Sequence, residues 1–311
     1  MSISFDTAFW ILVVPGTLAL GLFASWLVRK VSALVQWRVG PPMLQPLYDL
    51  MKLLGKEILV PQDAQRTVFM LSPLVGLIGV LLLAVMLWRT AFTQTAFLGD
   101  IVVAIYLMVL PSLALILGSS ASASPHAAIG TSREMKLVMG YELPLVLALV
   151  VVIIKAGGQL NLASISAGQT VAFSVSGMLA FLVALLCIQA KLGFVPFDIA
   201  ESETEVASGV MIEYSGALLA AWKLMQAVML VALPLFLVQV FLGGFETAGW
   251  SLLWSIAKYV LIIVLLILIK NTNPRVRIDQ AMKFFWVYCG LAMVVAVLLA
   301  AAGQRCGINW L

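Results

Sequence analysis

Eight unbroken apolar stretches decide what this chain can fold into: Phe9–Val28, Val68–Trp88, Ala96–Leu117, Leu137–Ile154, Val171–Ala190, Ala217–Leu242, Leu252–Ile269 and Phe284–Gly303. Each approaches the roughly 20 residues a helix needs to cross a hydrocarbon layer of ~30 Å. None alternates polar and apolar residues, so none reads as a barrel strand, and a helix satisfies its own backbone without water. The expected fold is an all-α integral membrane protein of eight transmembrane helices in one domain, residues 1–311. Composition agrees: 63% apolar and 10% charged excludes a soluble enzyme and a disordered tail. A net charge of +4 on so few charged groups offers no face for nucleic acid. The N-terminus has no Lys or Arg before the first apolar run, so that run reads as a retained helix rather than a secretory leader.

Loop charge sets an orientation. Thirteen of the eighteen Lys and Arg fall in the first, third, fifth and seventh connections, and three in the others. By the positive-inside bias the odd loops face the cytoplasm and both termini face out. No internal repeat is visible, which argues against an inverted-repeat transporter. Three scattered cysteines and one histidine give no metal-ligand spacing. No catalytic triad, phosphate loop or dinucleotide fingerprint is present.

Two odd loops are long and charged. In the first (29–67), Pro46 opens a stretch with Leu47, Leu50, Met51, Leu54 and Ile58 on one side and Asp49, Lys52 and Lys56 on the other. This predicts an amphipathic helix in the interface plane, either a surface brace or a docking face. The fifth loop (191–216) holds Asp198, Glu201, Glu203, Glu205 and Glu213 beside a single Lys191. As a helix it would put Asp198, Glu201 and Glu205 on one face. Carboxylates ~5.5 Å apart repel by roughly 3 kcal/mol at an effective dielectric of about 20. That is enough to move one pKa towards neutrality, where an acid exchanges protons in a cycle. A solvated, water-screened acidic loop is the alternative.

Within the apolar stretches, Glu142 precedes Pro144, whose missing N–H leaves polar backbone nearby. Lys223 lies roughly 10–15 Å into the sixth stretch, where a charge costs at least ~2.5–3.5 kcal/mol and faces a partner or a wet cavity. The third loop, from Gly118 to Glu134, reads as a mobile small-residue segment with a solvated His126. The seventh, around Arg275, Arg277 and Asp279, reads as a basic turn.

These residues carry a family resemblance. Arg38-Val39-Gly40-Pro41-Pro42, Gln45-Pro46, Asp49, Lys52-Leu53, Lys56-Glu57 and Pro61 resemble the first cytoplasmic loop of the respiratory complex I membrane subunit that anchors the hydrophilic arm. Pro196-Phe197-Asp198, Glu201, Glu203, Glu205 and Glu213-Tyr214-Ser215-Gly216 resemble its acidic loop. Ser132-Arg133-Glu134 with Tyr141-Glu142, and Pro274-Arg275, Arg277 and Asp279-Gln280, resemble its third and seventh loops. The family includes quinone-reducing complex I and energy-converting membrane-bound nickel–iron hydrogenases. Two departures favour the hydrogenase branch. Complex I members extend the first loop with a second Val-Gly-Pro stretch, whereas here Pro41-Pro42 leads quickly to Gln45-Pro46, and Ala190-Lys191-Leu192-Gly193-Phe194 stands where they carry Ala-Glu-x-Asn-Arg. Losing that Glu and Arg argues against a quinone headgroup site.

The resemblance implies a coupling subunit of a redox-driven proton or sodium pump in a prokaryotic cytoplasmic (inner) membrane. It implies no cofactor on this chain, with the nickel–iron centre and iron–sulfur clusters in partner subunits. Those partners would be hydrophilic arm subunits on the cytoplasmic side, antiporter-like and small membrane subunits, and the bilayer. Ion transfer would fall to Glu142, Asp198, Glu201, Glu203, Glu205 and Glu213. Lys223 joins them on burial depth alone. Arg38, Asp49, Lys52, Arg133, Arg275, Arg277 and Asp279 would hold the arm or order the loops. A quinone-reducing complex I subunit and a free-standing secondary transporter remain the alternatives.

Overall fold

The computed structural model describes the chain except residues 1–4, 94, 96–99, 168–169, 203–204, 206, 208, 248, 308–309 and 311, and describes only the backbone of 5–8, 10 and 11. Among the described residues every regular element is helical: α1 Phe5–Val35, α2 Gln45–Leu54, α3 Arg66–Thr93, α4 Asp100–Ser120, α5 Pro125–Lys155, α6 Leu162–Ala167, α7 Val175–Lys191, α8 Gly216–Phe241, α9 Trp250–Thr272 and α10 Ile278–Cys306. Residues Phe284–Cys289 of α10 form a π-helical turn.

Among the described residues seven helices (α1, α3–α5 and α8–α10) are long and apolar enough to cross a membrane, and α7 is a shorter apolar helix of 17 residues. At 1.5 Å per residue α7 still covers about 26 Å. The loop contacts show that it crosses. Gln65 N–H donates to the Ala121 carbonyl, Leu59 N–H to Ser215 Oγ and Arg275 to Asp198, gathering the odd loops at one end. At the other end Ile101 N–H donates to the Leu160 carbonyl and Val175 N–H to that of Trp310. Helix α5 therefore finishes at one end and α8 starts at the other, with α7 between them, giving eight crossings.

Helix α8 occupies the middle, packed by α1, α3, α7 and α9, while α5 joins α4, α7 and α10. Trp222, Phe236 and Phe241 of α8 are fully buried. With lipid as apolar as leucine, helix contact depends on close backbone approach. Gly21 supplies it on α1: a Cβ there would sit 2.9 Å from the carbonyl carbon and oxygen of Ala227.

Two expectations need correction. The third loop is only residues 121–124, because α4 runs through Ser120 and α5 begins at Pro125. Proline at the first position suits a helix start, and the Ser119 and Thr131 hydroxyls, 2.5 Å apart, tie the two helices together. Arg133 and Glu134 are thus helical. The fifth crossing starts at Val175 rather than Val171. Val171–Phe173 form a 3₁₀ turn, and Ser174 Oγ caps the helix by accepting from Gly177 N–H at 3.1 Å.

The amphipathic helix α2 forms, ending at Leu54 with Gly55 as its cap, so Lys56 and Ile58 lie beyond it. Its Pro46 is buried, whereas Leu47, Met51 and Leu54 face outward at 40%, 61% and 52% exposure. An apolar stripe turned away from the protein is what a helix lying in a lipid interface presents.

Candidate functional site: a charged cavity at the odd-loop end

A cavity of about 520 Å³ opens at the odd-loop end between α1, α2, α4, α5, α8 and the segment following α7. Its apolar wall includes Leu22, Val28, Leu50 and Leu230, and its charged wall includes Glu134, Lys191, Asp198, Glu201, Lys223 and Lys270.

The loops that frame it are fixed from several sides. Gly216 adopts φ +57°, and a Cβ there would meet the carbonyl oxygens of Glu57 and Lys56 at 2.6 and 2.7 Å. Only glycine combines that backbone with so close a strand of neighbouring chain. Tyr214 stacks on Phe69 with centroids 4.2 Å apart and donates from its hydroxyl to the Phe69 carbonyl at 3.3 Å. Val276 N–H donates to the Pro196 carbonyl at 3.1 Å, joining the seventh loop to the fifth.

The acidic loop is not the helix that would align its carboxylates. Gly193 takes φ +62°, Pro196 has no N–H to donate, and residues 192–202 run irregularly. Asp198, Glu201 and Glu205 each have a partner of their own instead. Arg275 donates to Asp198 and to Ser202 Oγ, both at 2.9 Å. Gln226 Nε2 donates to both oxygens of Glu201 at 3.0 and 3.1 Å. Arg133 donates to Glu205 at 2.6 Å and to the Ile199 carbonyl at 3.4 Å. Burial pushes the Glu201 carboxyl above the usual carboxylate range. The Lys223 ammonium opposes this, Asp198 adds to it and Gln226 opposes it.

The other sequence-predicted residues lie around this centre. Lys223 lines the cavity from the second turn of α8 and donates to Gln226 Oε1 at 3.3 Å. Asp49 lines the mouth and accepts from Arg29 at 2.9 Å and from Gln45, and the Arg29 guanidinium holds its carboxyl below the usual range. Glu205 is exposed and Glu213 half-buried outside the cavity wall. Arg38, Lys52, Arg277 and Asp279 are exposed and away from it. Glu203 lies outside the described residues.

Two central groups escaped the sequence reading. Lys191 has a side-chain exposure of 0% and donates to Glu142 at 2.5 Å and to the Met108 carbonyl at 3.1 Å. Removing one partner of such a pair strands a charge at a cost of roughly 3–5 kcal/mol. Glu134 enters the cavity from α5, within electrostatic reach of Glu201 and Lys191. The signal for Glu134 was its spacing of seven residues from Tyr141, which puts both on one helix face.

Arg275→Ala is expected to free the acidic loop locally. Hydrogen exchange at the Phe197 and Ile199 amides, which bond to the carbonyls of Phe194 and Phe197, should speed up about tenfold or more, as loss of a charge-assisted bond worth ~1.5–3 kcal/mol implies. Exchange in α8 should stay as it is. Unchanged exchange at 197–202 would mean that Arg275 does not order the loop.

The geometry defines a multi-span helical membrane protein with a chamber of paired acids and bases at one end. Comparison with known proteins gives the class a family. The chain belongs to the NADH dehydrogenase family, which matches residues 7–301. It is 33% identical over 307 residues to an NADH-quinone oxidoreductase subunit of Geobacillus thermodenitrificans, covering 94% of this chain and 92% of that one. The corresponding protein of Dehalococcoides mccartyi strain 195 is 32% identical over 278 residues, covering 86% and 78%. Among solved structures, the membrane-bound sulfane sulfur reductase, an archaeal respiratory membrane complex, contains a chain of the same fold. Its TM-score is 0.86 at 24% identity, over 94% of this chain and 98% of that one. The relatives are thus components of multi-subunit respiratory assemblies.

Proposed function

We propose that this chain is the membrane subunit that anchors a hydrophilic redox arm and couples its electron transfer to proton or sodium translocation, in a prokaryotic inner membrane with the odd loops facing the cytoplasm. The observation that carries the reading is the continuity of ionisable groups from loop to interior. Asp198 and Glu201 lead through Glu134 to the Lys191–Glu142 pair, with no covalent chemistry asked of the chain. The exposed Arg38, Lys52, Arg277 and Asp279 surround this end and suit contact with the arm.

An energy-converting hydrogenase type is favoured by Lys191, Gly193 and Phe194 standing where a quinone reductase carries Glu, Asn and Arg. A quinone-reducing assembly is the second reading, favoured by the names of the curated relatives and by a cavity of about 520 Å³ with an apolar wall. The test is purification of the intact assembly and its reconstitution in liposomes. Co-purifying arm subunits and ion uptake that starts only with an electron donor are expected. Uptake without donor by the chain alone would overturn the proposal in favour of a secondary transporter. Electron flow that requires added quinone would select the second reading.

A further inference from the structure

Lys136 and Lys283 each stand one residue before the apolar stretch of their helix, which opens at Leu137 in α5 and at Phe284 in α10. The two helices start at the odd-loop end and touch along their sides. A Cβ at Gly140 would lie 3.1 Å from Met282 Sδ, and Trp286 Nε1 donates to the Met139 carbonyl at 3.4 Å. Lys136 is one turn before Gly140, and Lys283 directly follows Met282, so the two ammoniums project at one depth, where hydrocarbon gives way to headgroups. Both lysines are exposed, and among the described residues neither has an ion-pair or hydrogen-bond partner. Arg277 and Asp279, exposed at the start of α10, cancel each other in charge. Deeper along the seam Met139 and Leu143 of α5 and Trp286 and Leu291 of α10 are exposed. Helix α10 carries no charged residue from Phe284 to Gln304.

We propose that Lys136 and Lys283 together hold the phosphate of an anionic phospholipid whose acyl chains lie along the seam between α5 and α10. Each ammonium offers three N–H donors. Helices in contact have axes roughly 8–10 Å apart, a gap that two flexible four-carbon stems close over one phosphate. Charge and depth together select the occupant. The site asks for an anion at headgroup level joined to a long apolar body, and a phospholipid supplies both in one molecule. A zwitterionic lipid meets the same lysines with its own cation beside the phosphate, so it binds less well. Basic pockets between membrane helices suit such headgroups, and each base near the surface contributes about fivefold in affinity. Trp286, its indole N–H held by the Met139 carbonyl, gives the glycerol region a flat surface that is apolar at one end and polar at the other.

Titration of the purified assembly in detergent with phosphatidylglycerol, followed by native mass spectrometry, tests the site. A retained phosphatidylglycerol is expected, preferred about fivefold or more over phosphatidylcholine. Lys136→Gln or Lys283→Gln should weaken retention about fivefold, and the two together about twentyfold. Arg305→Gln, exposed at the far end of α10, should leave it unchanged. Phosphatidylglycerol with a photoreactive acyl chain should label the stretches 139–143 and 286–291, and excess inorganic phosphate should not compete because it brings no acyl chains. Equal retention of the two lipids, full retention in the double variant, or labelling confined to other helices would overturn the proposal. Effective competition by phosphate would also overturn it, in favour of a site for free anions. A cross-link from Met139→Cys to a neighbouring membrane subunit would do the same, in favour of a protein interface. If the double variant fails to assemble, the single variants and photolabelling of the wild type decide it.

Discussion

Glu201→Gln is expected to lower donor-driven ion uptake about tenfold or more and to remove the decline of uptake with rising pH. Glu201 borders the cavity, and the groups facing it are Asp198 on the same loop, Lys223 and Gln226 from α8, and Glu134 from α5. Burial is the largest influence on its carboxyl and holds it above the ordinary 4.5. The acid therefore keeps its proton to higher pH than a free glutamate, and delivery through it falls as pH rises through the folded pKa. Glutamine keeps the shape and one of the two bonds from Gln226 Nε2, through its single oxygen, and abolishes titration, so the pH limb disappears with the rate. Stability moves the other way. A folded pKa above the unfolded one means that the native state binds the extra proton, so this group's contribution is present below that pKa and is lost as pH rises through it. Glu201→Gln should therefore be at least as stable as wild type at neutral pH while its uptake collapses. Uptake against pH and thermal unfolding in detergent, measured on the same preparations, check both halves. An unaltered pH profile would remove Glu201 from the route.

Gly130→Leu should detach the acidic loop from the bundle. A Cβ at Gly130 would sit 2.8 Å from Val210 N, 3.0 Å from Gly209 C and 3.2 Å from the Ala200 oxygen. All three are backbone atoms, so no side chain can swing aside to relieve the contact. Overpacking of this kind costs about 1–3 kcal/mol, and a leucine brings more bulk than the Cβ alone. The Gly209 side of the same contact is equally closed: its φ is +47°, and a Cβ there would lie 2.0 Å from the Ala200 oxygen. Limited proteolysis should cut Gly130→Leu within 197–213 at least tenfold faster than wild type, and its thermal midpoint should fall by several degrees. Equal cleavage rates would show that the loop does not depend on this seat.

The crossings were readable because a bilayer imposes one requirement, backbone self-satisfaction over about 20 apolar residues, that sequence displays directly. Helix α2 was readable for a related reason: its two faces meet two solvents, and Leu47, Met51 and Leu54 point outward as the periodicity requires. The site was legible only in its membership. Asp198 and Glu201 reach one cavity, yet they arrive on an irregular segment, since Gly193 and Pro196 override the helical spacing between them. Glu134 looked like the end of a loop because Gly118–Ser124 is poor in apolar residues. Helices here begin where Pro125 and the Ser119–Thr131 bond place them, not where hydropathy rises. Lys191 was visible as an odd charge, but its ion pair with Glu142 joins residues 49 positions apart, and nothing local in sequence encodes that.

Coupling of this kind requires acids and bases at the odd-loop end to change their protonation when electrons move in an adjoining subunit. Infrared difference spectroscopy of the reconstituted assembly, recorded as the arm is reduced and reoxidised, reads this directly. A reversible carboxyl signal is expected in the wild type, diminished by Glu201→Gln and abolished by Glu201→Gln with Glu142→Gln. Difference spectra identical in wild type and double variant would contradict it.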